Sequence, residues 1–172
     1  GREAGEGKEG VKYTAYPAYL PATDAGIRYP ASWRLQRLRF AIHSNPVRSE
    51  VSDWSPDTPV SFVPMEAIGE TGQMAVGQER PIGEVYNGFT YFADGDVVVA
   101  KITPCFENGK GALAAGLING VGFGTTELHV MRALPDVAPR WLLYLTQTHT
   151  FRKLGEAEMY GAGGQKRVPE DF

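Results

Sequence analysis

Three Asn-Gly pairs, Asn87-Gly88, Asn108-Gly109 and Asn119-Gly120, punctuate the second half of this chain and constrain its fold more than any other feature. Asn-Gly favours the left-handed turns that join hairpin strands, so short strands are expected between the pairs. Apolar stretches fall where that reading needs them, at 97–102 and 112–118, with another at 127–133. Val97, Val98 and Val99 in succession predict a strand covered on both faces. This half therefore reads as a meander of short strands.

One helix is predicted beside it, over 139–154. Pro139 suits a first helical position and Gly155 suits the end. Between them Trp141, Leu142, Tyr144, Leu145, Thr148 and Phe151 form a broad apolar stripe at helical spacing, which predicts packing against the sheet. Towards the N-terminus, 1–12 reads as a disordered leader and 13–30, rich in aromatics and proline, as an extended arm. Trp33, Leu35 and Arg37 alternate with Arg34, Gln36 and Leu38, the period of a strand with one wet face. Residues 45–59 read as a loop, 59–68 as a strand turning into a helical stub, and 70–84 as a loop or irregular hairpin. No internal repeat appears, and 13–172 is expected to be a single domain.

Composition narrows the function classes. The 172 residues carry a net charge of −3 and the pI is near 5.6, which argues against nucleic-acid binding by bulk charge. The distribution is more informative than the sum. Arg28, Arg34, Arg37, Arg39 and Arg48 lie between Asp24 and Glu50 with no acidic residue among them, and Lys166-Arg167 forms a second basic group. Each group reads either as a solvated face or as a contact surface. No apolar run reaches the ~18–20 residues of a membrane span, so no membrane association is expected. A single cysteine, Cys105, cannot form an internal disulfide, which fits a reducing, cytoplasmic setting.

A constellation for catalysis is not evident. His43, His129 and His149 lack metal-ligand spacing, and Cys105 has no CxxC partner and reads as a buried, inert thiol. Gly109-Lys110-Gly111 lacks the following Ser/Thr and the spaced glycine of a phosphate loop. Gly161, Gly163 and Gly164 follow a helix rather than a strand, so they read as a tight turn and not as a dinucleotide fingerprint. Asp96 and Glu107 beside Lys101 leave one enzymatic alternative open, a small nuclease with a divalent metal. Asp94-Gly95-Asp96 also reads as turn punctuation ahead of a strand.

What remains is a set of polar and basic groups at turns: Lys101, Asn108 and Lys110 around one hairpin, Thr125 and Thr126 after the glycine-rich 120–124, and Gln165, Lys166 and Arg167 after the second glycine cluster. Lysine and threonine suit phosphate oxygens, whereas Arg, Gln and Asn can make bidentate contacts to base edges. Asn108 also reads as a turn residue and Lys110 as a solvated tip.

These residues sit in segments that together resemble the target recognition domain of the specificity (S) subunit of type I restriction-modification systems. The segments are Tyr16-Pro17 with Pro30-Ala31-Ser32-Trp33, VPMEAI from Val63, the stretch GDVVVAKITPCFENGKG from Gly95, GFGTTELHV from Gly122 and GAGGQKRVPEDF from Gly161. They follow the family's order from about Tyr16 onward. The resemblance implies an α/β fold of α+β type built on a curved, mostly antiparallel sheet whose loops enter the DNA major groove. It implies a non-catalytic reader of one half of a split target; the turn groups singled out above, Lys101, Asn108, Lys110, Thr125, Thr126, Gln165, Lys166 and Arg167, are then its candidate DNA contacts. No cofactor is expected in this chain. S-adenosylmethionine would sit on a separate modification subunit, and a motor-nuclease restriction subunit would cut. The spacer helices and second recognition domain of a full S subunit are not in this sequence. A protein-interaction module, docking through the tyrosine arm of Tyr13, Tyr16, Tyr19 and Tyr29, is the other alternative.

Overall fold

The computed structural model describes residues 36–75, 78–162 and 164–172. The tyrosine arm and the strand expected around Trp33 to Leu35 lie outside these residues. Leu38, the last residue of that expected strand, instead opens a 3-10 turn, Leu38–Phe40.

Among the described residues eight strands form two four-stranded sheets. The strands are β1 (Ile42–Ser44), β2 (Pro59–Val63), β3 (Gln78–Pro81), β4 (Thr90–Ala93), β5 (Val97–Ala100), β6 (Gly111–Leu113), β7 (Val121–Gly124) and β8 (Leu128–Ala133). The first sheet has the order β1-β8-β5-β6 and the second β3-β2-β7-β4. All pairings are antiparallel except β2 with β7. The domain is therefore α+β, with its mostly antiparallel strands divided between two sheets rather than gathered in one.

The valine run explains why β5 lies inside. Alternate strand residues point to opposite faces. Val98 and Ala100 join Val63, Ile68, Phe92, Leu128 and Val130 in the apolar layer between the sheets. Val97 and Val99 join Met131, Leu142, Leu143 and Phe151 on the helical side. The far face of the second sheet has its own cluster around Val60, Ile82, Val85, Tyr91 and Phe123. Helices thus cover one face of the first sheet and the second sheet covers the other, as three adjoining valines require.

The Asn-Gly pairs do not all act as expected. Only Asn119-Gly120 has both residues at positive φ (52° and 71°), and it leads from β6 in one sheet to β7 in the other rather than joining paired strands. Asn108-Gly109 closes the connection between the paired strands β5 and β6, with Gly109 at φ 80°. Asn87-Gly88 lies between a short helix, α1 (Ile82–Val85), and β4. The 70–84 segment likewise contains β3 and the start of α1 rather than irregular chain alone.

The glycine-rich 120–124 is mainly a strand. Within β7, a Cβ on Gly122 would stand 2.4 Å from the Phe92 ring, and one on Gly124 would stand 2.9 Å from Leu128 and from the Val63 carbonyl. These glycines admit the fully buried Phe92 between the sheets.

The helix expected over 139–154 is two helices, α2 (Pro139–Gln147) and α3 (His149–Glu158). Thr148 between them is extended (φ −69°, ψ 143°). Its hydroxyl accepts a hydrogen bond from the Phe151 N–H and donates one to the Leu145 carbonyl, so one side chain ends α2 and caps α3. Pro139 opens α2 as predicted, whereas Gly155 lies inside α3 against Phe106 instead of ending the helix. Among the described residues no helix is long and apolar enough to cross a membrane.

Candidate nucleic-acid interface

The C-terminal end of β5 and the N-terminal end of β8, the two central strands, meet at one end of the first sheet, the edge that carries Lys101. There the Lys101 N–H donates to the Glu127 carbonyl. The segment 166–168 is laid alongside 101–103 by two further backbone bonds, Thr103 N–H to the Lys166 carbonyl and Val168 N–H to the Lys101 carbonyl. The turn from β7 to β8 closes when the Thr125 hydroxyl accepts from the Glu127 N–H at 3.2 Å. Gly161, at φ 121°, bends the chain so tightly that a Cβ there would stand 2.9 Å from the Gln165 carbonyl.

These bonds bring together Lys101, Thr125, Thr126, Gln165, Lys166 and Arg167. Thr126, Gln165 and Lys166 are exposed, and Lys101 is half-buried. Arg167 grips Glu127 in a two-pronged ion pair, with Nε on Oε2 at 2.8 Å and NH2 on Oε1 at 2.7 Å. This guanidinium, aided by the more distant Lys101 ammonium, holds the Glu127 carboxyl below its ordinary range. One of the two cations read at the C-terminal basic group is therefore already neutralised.

Asn108 and Lys110, on the same β5–β6 connection, have side-chain partners inside the protein. The Asn108 amide donates to Glu70 at 3.2 Å, and the Lys110 ammonium donates to the Met65 carbonyl at 3.1 Å. Their loop is further held by Gln147, which donates to the Gly109 carbonyl, and by Arg152, which donates to the Glu107 carbonyl. This arrangement ties the β5–β6 connection to the 65–70 segment and to both helices. Cys105, half-buried, packs against the layer between the sheets.

Of the carboxylates considered for a nuclease, Asp96 is committed to other bonds through both oxygens and Glu107 through Oε1 alone. Asp96 is 1% exposed and accepts from Arg132 and the Ala93 N–H. Glu107 accepts from the Thr103 hydroxyl. Among the described residues no group of three or more His, Cys, Asp or Glu side chains could hold a metal ion.

Beside the Lys101 edge lies an open concavity of about 500 Å³, lined by Asn45 to Ser49, Tyr86, Phe89, Thr90, Tyr91, Lys101 and Leu128. Thr90 pairs with Gly124, the residue before Thr125, so this hollow adjoins the β7–β8 turn. Arg48 holds its guanidinium 5.3 Å from the centre of the Tyr86 ring, a cation–π contact. Sequence reasoning had isolated Arg48 only as the last member of a basic run, and it had no signal for Tyr86, Phe89 or Thr90. These residues reach the edge from the second sheet and the chain around it, a neighbourhood that only the tertiary fold creates.

No family model matches the chain. It is 43% identical over 145 residues, 83% of its length, to the specificity subunits of the type I restriction enzymes EcoAI and EcoEI of Escherichia coli. The chain spans about a quarter (24%) of the length of these curated relatives. Among solved structures it is similar to the HsdS subunit from Thermoanaerobacter tengcongensis, with a TM-score of 0.62 and 19% identity over 87% of this chain and 38% of that one. A chain from a study of complex assembly and conformational transition in a type I R-M system gives a TM-score of 0.63 and 19% identity, covering 84% of this chain and 37% of that one. At this identity the structural likeness speaks for the fold.

Proposed function

Because the chain belongs to the type I restriction specificity-subunit family, as a segment about a quarter of its relatives' length, we propose that it reads one half of a bipartite DNA target without chemistry of its own. Methylation and cleavage would be the work of a modification subunit carrying S-adenosylmethionine and of a restriction subunit, assembled with it in the cytoplasm. The observation that carries this reading is the 43% identity across 83% of the chain. The geometry of the Lys101 edge supports it. Exposed hydroxyl, amide and ammonium groups stand together on loops fixed by backbone hydrogen bonds, the arrangement that phosphate gripping and base reading need.

Within that edge Lys101 and Lys166 are the phosphate cations, Thr125 and Thr126 add hydroxyls, and Gln165 has the amide that can pair with a base edge. Arg167, neutralised by Glu127, holds the edge together. Asn108 and Lys110 act through the fold, by fixing the β5–β6 connection. The test is a titration of labelled duplex DNA at several salt concentrations. Neutralising about two phosphates gives a slope near −1.8 in log affinity against log salt. Salt-insensitive binding, or none, overturns the reading.

A further inference from the structure

The cations counted at the Lys101 edge stop at the margin of the hollow between the sheets, and the hollow itself is electropositive. None of the residues lining it is acidic, and two of them, Arg48 and Lys101, are cations. Neither side chain has an ion-pair partner among the described residues. The carboxylate nearest Lys101 along the edge, Glu127, is taken by Arg167. Two cations facing one open trough, with the neighbouring carboxylates Glu50 and Glu127 each engaged by another arginine, leave a surface whose charge is complementary to a polyanion.

The turn that carries Arg48 is also fixed in place. It is a 3-10 turn, Arg48–Val51, with Val51 buried in the core. Glu50, two residues beyond Arg48, accepts from the Arg132 guanidinium at 2.7 and 2.9 Å and from the Tyr91 hydroxyl at 3.0 Å. Arg132 is held in turn by the buried Asp96. The chain Asp96–Arg132–Glu50 therefore runs from the first sheet to the turn, and Tyr91 connects the same turn to the second sheet. The Arg48 guanidinium is steadied by the Tyr86 ring. A long cationic side chain restrained in this way loses less entropy on meeting an anion.

We infer that this trough is a second DNA contact, in which Arg48 and Lys101 grip the phosphodiester backbone beside the Thr125-Thr126 turn. The inference rests on the DNA-reading proposal and extends it from the family-like segments, which hold Lys101, to Arg48, which lies outside them. A contact to phosphate positions the duplex without reading it, so its loss weakens binding to every sequence alike.

The experiment compares the whole chain with Arg48→Ala, Lys101→Ala and the double variant, titrating two duplexes of unrelated sequence at 50–200 mM salt. Circular dichroism and a thermal melt check that each variant is folded. Each single variant is expected to reduce the salt slope by about 0.9, and the double variant by about 1.8, equally on both duplexes. A folded Arg48→Ala variant that keeps the parent's slope and affinity overturns the trough as a contact while leaving the DNA-reading proposal standing, because Lys101 belongs to both. A parent chain with no salt-dependent binding at all fails that proposal itself. A loss confined to one duplex also overturns the inference, because it would make these residues base readers.

Discussion

The Arg132 guanidinium lies fork-on-fork against the Asp96 carboxylate, with Nε on Oδ1 at 2.7 Å and NH2 on Oδ2 at 2.8 Å. Asp96 immediately precedes β5 and Arg132 lies on β8, so the pair ties the start of one central strand of the first sheet to the other, side chain to side chain. Asp96 is 1% exposed, whereas Arg132 is 29% exposed and also reaches Glu50. Removing one partner of a buried pair leaves the other charge uncompensated, at about 3–5 kcal/mol. Water can reach part of Arg132, so Asp96→Ala is expected to cost roughly 2–3 kcal/mol. Urea denaturation measures it, and a loss under about 0.5 kcal/mol, the range of an ordinary surface change, would contradict the role.

Gly155 sets two effects against each other. Replacing a helical glycine by alanine gains about 1 kcal/mol in helix propensity. Here the new Cβ would stand 2.3 Å from Phe106 and 3.2 Å from Phe172, a clash that neighbouring rings must relieve. Overpacking of this kind costs about 1–3 kcal/mol, so steric cost wins and Gly155→Ala lowers the melting temperature. A higher melting temperature would show that the ring moves aside freely.

His129 supplies a pH dependence with a definite sign. Its Nε2 lies 2.9 Å from the Val168 carbonyl, and burial, helped by the nearby Lys101 charge, pushes its pKa below the ordinary 6.5. Below pH 6.5 the unfolded chain therefore binds a proton that the folded chain resists. The stability associated with His129 is complete above that value and is lost as pH falls through the folded pKa. Melting temperatures measured from pH 7.5 to 5 should decline in the parent and decline less in His129→Gln. Equal declines would remove His129 as the cause. Glu50 and Glu127, held below their ordinary 4.5 chiefly by hydrogen bonds from Arg132 and Arg167, act in a separate, lower window. Their contribution is present above pH 4.5 and disappears on further acidification.

The sequence disclosed local features more readily than distant ones. Val97 to Val99 announced a strand buried on both faces, and Pro139 announced the start of a helix, because each signal lies within a few residues. The break at Thr148 was hidden because a threonine capping a helix and a threonine inside one look alike in sequence. The division into two sheets depends on the parallel pairing of Ser61 with Gly122 and of its neighbours, for which no local pattern exists. The site shows the same limit. Lys101, Thr125, Thr126, Gln165 and Lys166 were legible as polar groups at turns. The neutralisation of Arg167 by Glu127, 40 residues away in sequence, and the anchoring of Glu50 by Arg132, 82 residues away, were not.

The central claim is that this chain reads one half of a split target. Selection of binding sites from a pool of fully randomised duplexes, using the purified chain alone, tests it most directly. The account predicts enrichment of one short contiguous motif, with no second element at a fixed spacing. Enrichment of two separated elements, or a pool that remains random although duplex DNA is bound, would contradict it.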